Sequence, residues 1–174
     1  HQAAGHLHLA AVAFQGLATA TCNIACDSIR CRMRWVLDTD VLVAAIRSDA
    51  GASRRLLVAA LGRRFSLLLS VPLLIEYEAV LTRPQHLSSS GLSAGDVGLV
   101  LDTLAQVAIQ VRLTFLWRPA LKDANDDMVL ETAMNGQADA IVTFNQQDFC
   151  SATKRFMLTL LSPGDALRLL EKRK

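Results

Sequence analysis

The stretch RWVLDTDVLVAAI, residues 34–46, changes its periodicity at one point. Arg34–Leu37 reads as a short strand, and from Thr39 to Ile46 the apolar residues continue as the start of a helix. Asp38 stands at the junction. Outward from it the chain repeats the same alternation. Ser53 caps a helix running to about Leu61 and closed by Gly62, and FSLLLS (65–70) is a second, nearly all-apolar strand. Pro72 opens a helix in which Leu73, Leu74, Tyr77, Val80 and Leu81 recur at spacings of three and four, with Glu76 the exception on that face. Arg83–Gly91, rich in Ser, reads as a loop, and Ser93 caps a helix carrying Val97, Val100, Leu101, Leu104 and Val107. Ile109–Leu113 reads as a third strand, about Asn125 to Asn135 as a helix ended by Gly136, and AIVT (140–143) as a fourth strand. A fifth is expected at Phe156–Leu160, before a last helix opened by Ser162-Pro163. Short strands apolar on both faces and separated by helices imply a mostly parallel sheet covered by helices. The expected fold is a three-layer α/β/α domain.

Composition supports one folded domain. The 174 residues are 52% hydrophobic and 20% charged, far from the balance of a disordered chain. A net charge of +2 gives no broad field to attract nucleic acid or an anionic membrane, so any such contact must be local. The first 32 residues differ from the rest. They hold no charge before Asp27, yet contain His1, His6, His8, Cys22, Cys26 and Cys31. The expectation is an N-terminal extension over 1–32, outside a core of 33–174. Polar interruptions between Leu7 and Cys26 argue against a secretory signal, and the Cys spacing lacks the paired C-x2-C of zinc modules. Cys150 alone follows residue 33 and has no disulfide partner within the core, which fits a reducing, cytoplasmic setting with no membrane association.

Parallel sheets bind ligands beyond the carboxyl ends of their strands, and acidic residues gather there. Asp38 ends the first strand, Asp123, Asp126 and Asp127 lie at or before a helix start, and Asp148 follows the fourth strand. Glu76 adds a helical carboxylate. Like charges so close are costly unless a cation holds them, and an all-oxygen site suits a hard divalent ion such as Mg²⁺ or Mn²⁺. The chemistry implied is phosphoester hydrolysis by a metal-activated water.

Four segments carry a resemblance. WVLDTDVLVAA, LLIEYEAVLTRP, DANDDMVLETA with QADAIVT, and VTFNQQDF follow one another in the order of PIN-domain ribonucleases, and resemble those of the toxin component of bacterial type II toxin–antitoxin pairs. The resemblance runs from about Arg34 to Leu170. It implies Asp38, Glu76, Asp127 and Asp148 as the catalytic, metal-binding acids. Asp40, Asp123, Asp126, Thr143 and Asn145 are secondary candidates, and Asp40 stands where the family usually has Asn. It further implies an RNA substrate, a cognate antitoxin protein and a homodimer.

Other readings compete. Asp38, Asp126 and Asp127 are each explained as helix caps, Glu76 by a salt bridge and Asp148 as a loop acid. RNA contacts would need basic groups near the acids, for which Arg54, Arg55, Arg63, Arg64, Arg83 and Lys122 are candidates. His86 reads as solvated, without a catalytic part. LDTDVLV also fits the D-x-D opening of haloacid-dehalogenase-type phosphatases, with Asp38 as nucleophile and Asp40 as acid, although that leaves Glu76 and VTFNQQDF unused. A non-enzymatic alternative is a PIN-fold module that binds RNA or protein without hydrolysis.

Overall fold

The computed structural model describes residues 32–116, 121 and 124–172. The expectations for residues 1–31, Lys122 and Asp123 lie outside them. Five short parallel strands form one sheet: β1 (Arg34–Leu37), β2 (Ser66–Leu69), β3 (Ile109–Gln110), β4 (Ala140–Val142) and β5 (Thr159–Leu161), ordered β3-β2-β1-β4-β5. Eight helices among the described residues flank it in an α/β/α arrangement: α1 (Thr39–Arg47), α2 (Ala52–Leu61), α3 (Val71–Leu81), α4 (Pro84–Ser90), α5 (Ala94–Val107), α6 (Ala124–Asn135), α7 (Gln146–Phe156) and α8 (Pro163–Lys172). None is long and apolar enough to cross a membrane.

Burial explains why the central strands lack alternation. Val36, Leu37, Leu68, Ile141 and Val142 are wholly enclosed, since helices cover both faces of the sheet. Trp35 and Phe65 pack with ring centroids 4.8 Å apart at the opposite end from Asp38. Helix α6 crosses β1, β2 and β4, while α3 packs on α1, α5 and α6. Gly136 ends α6 where a Cβ would lie 2.8 Å from the Thr132 carbonyl and from Val111, so that helix end is close against the sheet.

Several boundaries differ from the sequence expectation. Residues 84–90 are helical, because Pro84 starts the turn and Gly91 closes it in the left-handed conformation (φ 69°) despite the Ser-rich composition. Helix α2 is capped by Gly51, and Ser53 is buried inside its first turn. The third strand keeps only two residues. The turn at 144–147 opens directly into α7, whose first turn contains Asp148, and Phe156 belongs to that helix rather than to β5.

Candidate active site

The sheet register sets the site. Leu37 pairs with Val142, so the residues after them, Asp38 and Thr143, leave the sheet side by side. Chains depart in opposite directions across the sheet on the two sides of this point, and a crevice opens there. The Thr143 hydroxyl donates to Asp38 Oδ2 at 2.6 Å, the Thr39 N–H donates to Oδ1 at 2.7 Å, and the Asn145 N–H donates to Thr143 Oγ1 at 2.9 Å. Asp38 does cap α1, but the cap uses one oxygen and leaves the carboxylate on the cleft wall. The capping and functional readings are compatible.

Two tethers bring the helical acids in. The Tyr77 hydroxyl, fully buried, donates to the Leu37 carbonyl and ties α3 to the end of β1. Ser70 caps α3, and its hydroxyl pairs with Thr132 of α6 at 2.7 Å; Thr132 donates onward to the Met128 carbonyl, so Ser70 is the donor between them. Glu76 and Asp126 thereby reach the same cleft, an open space of ≈ 360 Å³ lined also by Asp38, Asp40, Asn145 and Asp148. The Asn145 side-chain amide donates to Asp148.

Asp127 is placed differently from the expectation. It is buried, with Oδ1 accepting the Leu121 N–H at 2.8 Å, and it is not on the cleft wall, where its neighbour Asp126 stands. Successive helical residues point about 100° apart, so only one of the pair can face the cleft. Among the basic candidates Arg83 lines the cleft. Arg55 instead pairs with Glu171 at 2.5 Å, Arg64 donates to the Leu170 carbonyl, and neither they, Arg54 nor Arg63 reaches the site. His86 does line it, contrary to its reading as a solvated loop residue. Its position follows from α4: Glu76, Val80, Arg83 and His86 form one stripe continuing from α3 across the break.

The electrostatics are those of acids crowded together at a partly buried site. Burial first, then the charge of Asp40, pushes Asp38 up to about 7, against the opposing bonds from Thr143 and Thr39. Asp40 is raised as well, mainly by burial with a contribution from Asp126, and its Oδ1 is buried without a hydrogen-bond partner. Tyr77 is held well above its ordinary value by burial and by Asp38. No three His, Cys, Asp or Glu side chains among the described residues stand close enough to chelate an ion together. Hard oxygen donors and an orphaned buried carboxylate oxygen nevertheless suit Mg²⁺ or Mn²⁺, because such an ion takes one or two carboxylates and keeps several waters.

The sequence model for the PIN domain matches residues 34–147, well over half of the chain. The chain belongs to the PIN-domain family. PIN domains are usually nucleases and generally use divalent metals, which supports nuclease-type chemistry for this chain at that coarse level. Membership also replaces the haloacid-dehalogenase reading of Asp38 and Asp40. A search of curated proteins gave no match to the chain.

Proposed function

We propose that this PIN domain is a Mg²⁺- or Mn²⁺-dependent endoribonuclease and the toxin of a toxin–antitoxin pair. The carrying observation is Asp38: a buried carboxylate fixed by Thr143 and Thr39 at the strand-order switch, lining one open cleft with Asp40, Glu76, Asp126 and Asp148. The metal-binding set is Asp38, Glu76, Asp126 and Asp148, with Asp126 in place of Asp127. A bound divalent ion would polarise the phosphate and lower the pKa of a water.

The chain's own groups do the rest. Thr143 commits its proton to Asp38 and so keeps one carboxylate oxygen oriented. Asn145 does the same for Asp148. Arg83, a permanent cation lining the same cleft, supplies the contact to a phosphate oxygen that the acids cannot make. The choice of RNA, the antitoxin and the homodimer rest on the resemblance to toxin-type PIN ribonucleases.

The test is cleavage of a mixed RNA pool by the full chain with Mg²⁺, Mn²⁺ or EDTA, beside Asp38→Asn and matched single-stranded DNA. Metal-dependent cutting of RNA, lost in EDTA and in Asp38→Asn, is the expected result. RNA binding without cutting in either metal would favour the non-hydrolytic PIN-fold module. For the toxin assignment, expression of the chain should arrest growth and expression of Asp38→Asn should not.

A further inference from the structure

Helix α2 begins with donors and no acceptor. Gly51, its N-cap, has no side chain to offer, and its first turn holds no acid. The first intrahelical bond runs from the Arg55 N–H to the Gly51 carbonyl at 3.1 Å, so the N–H groups of Ala52, Ser53 and Arg54 have no acceptor within the helix. Charge runs against the usual pattern as well. The positive end of a helix dipole favours acids, yet this first turn carries Arg54 and Arg55. Glu171 takes up Arg55, and Arg54 forms no ion pair among the described residues.

A helix start of this kind is ordinarily met by water, and what sets this one apart is Ser53. It is 5% exposed, its hydroxyl has no hydrogen-bond partner among the described residues, and it lines a groove of ≈ 310 Å³ between α1, α2 and the start of α8. A buried hydroxyl left unpaired is costly unless something in the groove completes it. The groove shares no lining residue with the carboxylate cleft, and no charged side chain lines it. Ser48, also on its wall, accepts from the Gly51 N–H at 3.1 Å and keeps its own proton to donate. On the α8 side the helix start is already satisfied: Ser162 and Asp165 bond to each other there, and Asp165 is paired with Arg168. The unmet groups are therefore all donors, the α2 amides and the hydroxyls of Ser53 and Ser48. A compact anion with several acceptor oxygens matches that set.

We infer that the groove at the start of α2 is an oxyanion site, separate from the carboxylate cleft, that takes a phosphate group. Inorganic phosphate, a phosphomonoester and the phosphates of an RNA strand all offer that chemistry. The site needs no metal and does not rest on the nuclease reading.

The test is titration of the full, isotope-labelled chain with inorganic phosphate at constant ionic strength in EDTA. The amide signals of Ala52, Ser53 and Arg54 should shift together and saturate. Ser53→Ala should weaken binding about 10- to 150-fold, the range of one hydrogen bond to a charged group. Gly51→Asp gives α2 a carboxylate of its own, so it should abolish phosphate binding while raising the melting temperature. No saturable shift at these amides, shifts centred instead on Thr39 and Asp148 of the cleft, or equal affinity in all three chains overturns the inference. A short RNA strand titrated into the same chains separates the sources. Losses in both variants identify a backbone phosphate as the ligand, and unchanged RNA affinity beside weakened phosphate binding identifies a free phosphate or phosphomonoester. Metal-dependent RNA cutting is scored separately: phosphate binding without cutting sinks only the nuclease reading, and cutting without phosphate binding sinks only the oxyanion site.

Discussion

Asp38 concentrates the site's chemistry, and its neighbours define what can be measured. Thr143→Val removes the 2.6 Å hydrogen bond while keeping the buried shape, so Mn²⁺ affinity or activity should fall about 10- to 100-fold with the fold intact, as seen by metal titration and circular dichroism. The raised Asp38 pKa gives a second outcome. Its folded value, about 7, lies above the ordinary 3.8, so the folded state holds more protons than the unfolded state between them. That stabilisation is fully present below about pH 4 and is lost as pH rises through 7. Thermal melts of metal-free protein should therefore show a stability decline between pH 4 and 7 that Asp38→Asn removes. Asp40→Asn should shift the decline to lower pH, because the Asp40 charge is the second cause of the shift. Residue-level reading of the sequence named Asp38, Glu76, Asp127 and Asp148 through their motifs. Asp38, Glu76 and Asp148 line the cleft, whereas Asp126 lines it in place of Asp127, a difference in the phase of α6, fixed partly by the bond to Leu121 from outside that helix.

Elements were legible wherever burial left a mark on the sequence. Strands β1, β2 and β4 are enclosed on both faces and wrote themselves as apolar runs; Ser93 marked α5 through a capping box with Asp96. Helix α4 was missed because its signals are punctuation, Pro84 and Gly91, around a segment with no buried residue. That omission hid His86 from the site. The β3 expectation was too long because Val111–Leu113, apolar at alternate positions, leave the ladder after Gln110. Two substitutions test how the helices are set. Tyr77→Phe should cost about 0.5–1.5 kcal/mol in denaturant unfolding by loosening α3 from the Leu37 carbonyl, and should lower activity because Glu76 travels with that helix. Gly136→Ala should cost about 1–3 kcal/mol, since the new Cβ meets the Thr132 carbonyl, Val111 and Leu68, each within 2.9 Å.

For the whole molecule, the metal binding proposed for the acids in the cleft would be a stability variable. Saturation with Mn²⁺ at 100 times its Kd should stabilise the fold by about 2.7 kcal/mol, read as a melting shift that EDTA reverses and that shrinks below pH 7 as Asp38 takes up its proton. The α/β/α class followed from the alternation of elements, but the strand order did not, because nothing local to β1 says that its partners are β2 and β4. That order has a consequence in time. The bond between Thr143 and Asp38 closes a span of 105 residues. At synthesis rates of about 5–20 residues per second, the ribosome needs roughly 5–20 s to travel from one partner to the other. Throughout that interval the nascent chain carries Asp38 without the strand that positions it. A growing chain therefore completes the Thr143–Asp38 pair only after β4 and the residue that follows it have been made.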